Sequence, residues 1–142
     1  MNSQSKLISV IVPVFNEEEV LPLFYTQIKE TLNRIEEQQK YRFEIIFTDN
    51  CSTDKSFEII EGFASSDQRI KAFKLSRNFG YQRSIYYGYT QANGLAAIQI
   101  DADLQDPLEL ILPFLKRWED GYKFVYGVRR SRQEGFFISL IR

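Results

Sequence analysis

The chain of 142 residues is 44% hydrophobic and 26% charged, with a net charge of −1. That is ordinary for a single globular domain able to bury a core, and it gives no positive field for nucleic acid. A lone cysteine, Cys51, excludes an internal disulfide and suits a reducing compartment. There is no histidine at all, which removes His-ligated zinc and both the Ser-His-Asp and Cys-His forms of catalysis. Chemistry must then rest on carboxylates, amides, arginine or a hard cation. No apolar run approaches the roughly 18 residues needed to cross a bilayer, and the polar start, Met1 to Lys6, argues against a signal peptide.

In chain order, Leu7 to Val14 is an apolar, β-branched run that reads as a buried strand. From Glu19 to Glu36, Leu21, Phe24, Ile28, Leu32 and Ile35 recur at three- and four-residue steps, the stripe of an amphipathic helix, with Pro22 in its first turn. Phe43 to Phe47 is a second strand. Ser52-Thr53-Asp54 then reads as the start of a helix with Phe57, Ile60 and Phe63 on one face. Ile70 to Leu75 is a third strand, Gln82 to Gln91 a helix, and Ala96 to Ile100 a fourth strand. A further helix is expected to begin near Pro113, carry Phe114, Leu115 and Trp118, and stop at Gly121, before a fifth strand from Phe124 to Val128. Alternation of this kind predicts an α/β fold with a mostly parallel sheet flanked by helices, because parallel strands need crossover connections.

Ligands of such sheets bind beyond the carboxyl ends of the strands, and the residues least like core filler fall there. They are Phe15-Asn16-Glu17, Asp49-Asn50, Ser76-Arg77-Asn78-Phe79-Gly80, the run Asp101 to Pro107, and Arg129-Arg130. The strongest signal is D-A-D-L-Q-D-P. Asp101 and Asp103 stand where an apolar strand ends, and with the amide oxygen of Gln105 they form a hard oxygen set suited to Mg²⁺ or Mn²⁺. Asp106, before Pro107, reads as a helix cap, and Glu17 reads equally as a helix-terminus charge or a ligand contact. Gly80 allows a tight turn or close approach to a ligand. Tyr86, Tyr87 and Tyr89 read as helix packing. Neither a G-x-G-x-x-G nor a Walker run is present.

Five segments in order, I-V-P-V-F-N-E (11–17), F-T-D-N-C-S-T-D (47–54), L-S-R-N-F-G (75–80), D-A-D-L-Q-D-P (101–107) and V-Y-G-V-R (125–129), resemble the family 2 glycosyltransferases. The likeness is to the branch of dolichyl-phosphate mannose synthase and the bacterial polyprenyl-phosphate (undecaprenyl-phosphate) glycosyltransferases. The resemblance implies the Rossmann-like GT-A fold and an inverting, metal-dependent transfer of sugar. The donor would be a nucleotide diphosphate sugar (UDP-linked favoured, GDP-linked the other option) and the acceptor polyprenyl phosphate, in cell-envelope polysaccharide synthesis. It also implies that Pro13, Phe15, Glu17 and Asp49 hold base and ribose, with Asn78 and Gly80 on the nucleotide side. Asp101, Asp103 and Gln105 would surround the metal and diphosphate, with Asp103 and Arg129 catalytic and Arg129 on the diphosphate. Where the family shows D-D-G-S, this chain has Asp49-Asn50-Cys51-Ser52, losing one charge and a glycine.

The expected organisation is a nucleotide-sugar-binding catalytic domain over 1–132, with 133–142 beginning a membrane-proximal, acceptor-side segment. Donor binding without full transfer activity is expected of these residues. The place of action would be the cytoplasmic face of the membrane. Two alternatives stay open: a saccharide hydroxyl as acceptor, which needs a carboxylate base such as Asp103 or Asp106, or a non-catalytic nucleotide-sugar-binding module.

Overall fold

The computed structural model describes residues 5–38, 40–131 and 134–141, with side chains up to Val128. The chain divides into two compact units, Met1–Pro107 and Leu108–Arg142. The first contains β1 (Lys6–Val14), α1 (Leu21–Glu36), β2 (Tyr41–Asp49), α2 (Ser56–Ser66), β3 (Ile70–Lys74), α3 (Tyr81–Thr90) and β4 (Ala96–Gln99). Its four strands form one wholly parallel sheet in the order β3-β2-β1-β4. The central pair, β1 and β2, is buried along nearly its whole length, which is why both strands are apolar without alternation.

Side chains alternate across each strand, so neighbouring residues report opposite faces. Phe47 meets Phe24 of α1 edge-on at 6.4 Å and Phe63 of α2 at 6.2 Å. The next residue, Thr48, accepts a hydrogen bond at its side-chain hydroxyl from Ser84 of α3 at 3.0 Å. Helices α1 and α2 therefore cover one face and α3 the other. Helix α3 comes close because its contact residues, Ser84 and Gly88, are small. A Cβ on Gly88 would collide with the Cγ2 of Ile11.

The face under α3 also carries a buried carboxylate. Glu44, 6% exposed, accepts hydrogen bonds from the Ser9 hydroxyl and the Asn93 N–H, each at 2.6 Å, and pairs with Lys71 at 2.6 Å. Ser9 in turn accepts the Gly94 N–H at 2.9 Å. The connection leaving α3 is thus tied to β1 and β2. Nothing in the sequence reading singled out Glu44.

The second unit holds a short 3-10 turn (Leu108–Leu110), α4 (Ile111–Glu119), β5 (Phe124–Ser131) and β6 (Glu134–Ile141). One expectation is corrected by the elements observed. Strand β5 does not extend the parallel sheet; it pairs antiparallel with β6 as a separate two-stranded sheet. An apolar strand of this length satisfies either kind of ladder, so its partner is not set locally. Helix α4 starts at Ile111, near Pro113 as expected, with Leu110 at its N-cap position and no side-chain cap bond. Helix α2 begins at Ser56, just after Ser52-Thr53-Asp54: Asp54 Oδ1 accepts the Ser56 N–H at 2.9 Å, while Ser52 Oγ, the Thr53 N–H and Asp54 Oδ2 bond to the loop after β1. Among the described residues, no helix is long and apolar enough to cross a membrane.

Candidate active site at the carboxyl edge of the parallel sheet

Four parallel strands deliver the loops after Val14, Asp49, Lys74 and Gln99 to one edge. The first two loops are stitched together by main-chain donors. Asn16 N–H donates to Ser52 Oγ at 2.9 Å, Glu17 N–H to Ser56 Oγ at 2.8 Å, and Glu18 N–H to Asp54 Oδ2 at 3.1 Å. In return Asn16 Oδ1 accepts the Thr53 N–H at 2.8 Å and Glu18 Oε2 the Lys55 N–H at 2.9 Å. Asp49, wholly buried, anchors this seam: its Oδ2 accepts the Ser52 N–H at 3.1 Å and its Oδ1 the Ser52 hydroxyl. The seam leaves a shallow cleft of about 240 Å³ lined by Asn16, Glu17, Glu18, Glu19, Val20 and Asp54.

The third loop is held by Asn50, buried at 4% exposure. Its Nδ2 donates to Asn78 Oδ1 at 2.8 Å and its Oδ1 accepts the Phe79 N–H at 2.9 Å. Asn78 Oδ1 also accepts the Gly80 N–H at 2.8 Å, and Gly80 opens α3 at φ 91°, a conformation glycine adopts without a steric cost. Position 50 is therefore spent on shaping the loop. An aspartate there would set an acceptor against the Asn78 acceptor.

Beyond β4, Asp101 Oδ1 accepts the Tyr81 hydroxyl at 2.5 Å and Gln99 Nε2 at 2.8 Å, and Gln99 Nε2 reaches the Tyr81 oxygen at 3.1 Å. Burial pushes the Tyr81 phenol well above its ordinary pKa, and the Asp101 carboxylate adds to that. Asp103 is exposed, and its Oδ1 accepts the Gln105 N–H at 3.0 Å around Leu104, whose φ is 61°. Glu17 is raised above its usual pKa, first by burial and then by Asp103, Asp54 and Asp101. Every non-glycine residue with positive φ among those described, Asn16 (53°), Cys51 (62°) and Leu104 (61°), lies in these loops, where strain marks shaped binding surfaces.

Of the site residues expected from the sequence, Asp101 and Asp103 come within electrostatic reach of Glu17. Asn78, Gly80 and Gln105 are exposed on the same set of loops, and Phe15 is 44% exposed beside Glu17. Pro13 and Asp49 are enclosed and pair with Thr48 and Val14 across the sheet. Glu17 stands at the N-terminus of α1, its carbonyl accepting the Val20 and Leu21 N–H groups at 3.1 and 3.0 Å. Arg129 lies inside β5 opposite Phe136, and its side chain, like that of Arg130, is outside the described residues. Among the aromatic residues read as packing, Tyr87 meets Phe73 edge-on at 5.5 Å, whereas Tyr86 is 71% exposed. The reading missed Tyr81 and Gln99. Gln99 was within reach of it, because residues two apart at a strand end project to the same side.

Among the described residues, no three His, Cys, Asp or Glu side chains form a ready-made metal cage. Two carboxylates with an amide oxygen nonetheless suit a hard cation that draws its remaining ligands from a diphosphate. Glu17 is raised first by burial and then by the neighbouring carboxylates, and positive charge at this edge would relieve the second contribution.

Comparison with known proteins agrees with this geometry. The chain is 44% identical over 130 residues to the uncharacterized glycosyltransferase YkcC of Bacillus subtilis (strain 168), covering 91% of this chain and 39% of that protein. It is 40% identical over 125 residues to the prophage bactoprenol glucosyl transferase homolog of Escherichia coli (strain K12), covering 88% and 40%. It is 38% identical over 135 residues to the undecaprenyl-phosphate 4-deoxy-4-formamido-L-arabinose transferase of Photorhabdus laumondii, covering 94% and 40%. The chain thus spans about two fifths of these relatives. Among solved structures, S. aureus TarS 1-349 in complex with UDP superposes with a TM-score of 0.55 at 26% identity, over 78% of this chain and 32% of that one. The mannosyltransferase PcManGT from Pyrobaculum calidifontis in complex with GDP-Man and Mn2+ gives 0.59 at 25%, over 79% and 32%. The fold is that of the GT-A glycosyltransferases, and the resemblance to the polyprenyl-phosphate branch is borne out by the named relatives. The model of the glycosyl transferase family 2 matches residues 9–139, and by that match the chain belongs to this family.

Proposed function

We propose that this chain binds a nucleotide diphosphate sugar along the carboxyl edge of its parallel sheet and serves its transfer, with inversion, to polyprenyl phosphate. The observation that carries the donor half is the acidic edge itself, where Asp103, Asp54 and Asp101 add to the effect of burial in raising Glu17. Such an edge repels a bare diphosphate and accepts one that arrives with a divalent cation. Asp101, Asp103 and Gln105 would hold that cation, of the Mg²⁺ or Mn²⁺ class, which supplies charge neutralisation for the departing diphosphate. Support for a UDP-linked donor is the neighbour bound to UDP, with a GDP-linked donor as the other option from the neighbour bound to GDP-Man. Support for the acceptor is the naming of relatives for bactoprenol and undecaprenyl phosphate.

In this reading Phe15 and Glu17 line the base and ribose side while Pro13 and Asp49 shape its wall from behind. Asn78 and Gly80 approach the nucleotide, and Arg129 and Asp103 serve the diphosphate. An acceptor phosphate oxygen attacks the anomeric carbon as the bond to the diphosphate breaks, and the electron pair leaves with the nucleoside diphosphate. The acceptor is already an anion, so the step needs no general base, in keeping with a chain that has no histidine. Donor recognition belongs to 1–132, and 133–142 opens the acceptor side, at the cytoplasmic face of the membrane.

Titration calorimetry with UDP and GDP, with Mn²⁺ or with chelator, tests the donor half. Mn²⁺-dependent binding of one nucleotide is expected, weakened more by Asp103→Ala than by Asp106→Ala. Arg129→Ala should cost about 1.5–3 kcal/mol for the diphosphate and little for uridine. Absence of binding to either nucleotide would sink the reading. Transfer from a panel of UDP-sugars to undecaprenyl phosphate tests the acceptor half.

A further inference from the structure

Asp101 is a residue of the acidic edge whose carboxylate is oriented by two side chains from separate elements. Its Oδ1 takes two donors, the Tyr81 hydroxyl at 2.5 Å and Gln99 Nε2 at 2.8 Å. These two also touch each other at 3.1 Å, closing a triangle. They come from separate elements, Tyr81 from the first residue of α3 and Gln99 from the last of β4. Among the described residues, Oδ2 of Asp101 accepts no hydrogen bond. Asp103 lacks such support: its one described bond is to the main chain two residues on, at 3.0 Å.

Two donors on one oxygen do two things. They fix the carboxylate plane, and they draw charge from Oδ1, leaving Oδ2 as the better ligand for a hard cation. We propose that Tyr81 and Gln99 are positioning residues that clamp Oδ1 of Asp101 and so present Oδ2, singly, to the cation that accompanies the donor diphosphate. The clamp rests on the donor reading above. It also links α3 to that edge: the loop that Asn50 holds delivers Gly80, and Gly80 delivers Tyr81. Outer partners of this kind orient metal ligands, and their removal typically costs 10- to 100-fold in metal affinity.

The test is Tyr81→Phe in the full chain, which keeps the ring and removes only the donor. Titration calorimetry with UDP and GDP should show the Mn²⁺-dependent affinity falling about tenfold. Binding in chelator should move less than twofold, and the melting temperature should stay within about 2 °C. In an Asp101→Ala background Tyr81→Phe should change nothing further, because it acts through that carboxylate. Unchanged Mn²⁺-dependent affinity in Tyr81→Phe would overturn the clamp, as would an equal loss in chelator. Should Tyr81→Phe fold poorly, Gln99→Leu carries the same expectations. If the unmodified chain bound neither nucleotide, the failure would belong to the donor reading. Mn²⁺ alone, followed by the electron paramagnetic resonance of the free ion, then decides the clamp. Weaker binding in Tyr81→Phe supports it, and equal binding, or no binding by either protein, refutes it.

Discussion

The parallel sheet carries two acidic regions with opposite physics. Toward the start of the strands, Glu44 is buried and its carboxylate is surrounded by donors: Ser9, the Asn93 N–H and Lys71. Burial alone would raise its pKa, but those hydrogen bonds outweigh burial and hold it below the ordinary value. Beyond the ends of the strands, Glu17 is raised, by burial and then by Asp103, Asp54 and Asp101, with no cation among its causes. At Glu44 the donors enclose a buried carboxylate and tie β1, β2 and the connection leaving α3 together, a scaffold role. At the edge, Glu17 keeps a raised pKa beside three carboxylates, an environment that favours something positive. Asp54 on that edge is lowered instead, because hydrogen bonds from Ser56 and the Glu18 N–H outweigh its burial.

That comparison breaks first at Glu44. Glu44→Ala should cost roughly 3 kcal/mol in urea denaturation, since it leaves buried donors without an acceptor, whereas Asp103→Ala should stay within about 0.5 kcal/mol. A loss below about 1 kcal/mol for Glu44→Ala would mean the clasp is not structural. With the folded pKa lowered, the stability due to Glu44 is present above about 4.5 and is lost as pH falls through its folded value.

Asn50 tests whether the edge is shaped by amides rather than by charge. Asn50→Asp should destabilise the fold by about 1–2 kcal/mol by facing one acceptor with another. The cost should shrink in an Asn78→Ala background, and equal costs in both backgrounds would uncouple the pair. A smaller effect of opposite sign is expected at Cys51, whose φ of 62° is one a side chain resists. Cys51→Gly should stabilise by about 0.5–1 kcal/mol, the relief of strain exceeding the added freedom of the unfolded chain. Thermal denaturation reads this directly, and a loss of stability would show that the thiol packs usefully.

The smallest effect sharpens the contrast most. Because the folded pKa of Glu17 is raised, the stability linked to it is fullest below about 4.5 and declines as pH rises through the raised value. Glu17→Gln should therefore stabilise by about 0.5 kcal/mol at neutral pH, with the gain vanishing near pH 3. A gain that persists in acid would reflect packing rather than charge.

By itself the sequence determined the alternation of strands and helices, because period and breakers are local properties. It also determined that the polar segments follow strand ends, where a parallel sheet gathers them at one edge. It marked Asp101 and Asp103, since two carboxylates ending an apolar strand have no reason to be core. Tertiary structure alone decided the pairing of β5 with β6, for an apolar run carries no label of its partner. It alone turned Asn50 inward onto the loop of Asn78, buried Asp49 against Ser52, and made a clasp of Glu44. Each of these side chains is directed by residues about 28 to 49 positions away or by the turn it closes, and such distances do not appear in any local pattern. Tyr81 meets Asp101 only because α3, packed on β1 and β2, begins beside the loop that leaves β4, so the clamp on that carboxylate exists in the fold and nowhere in the string of residues.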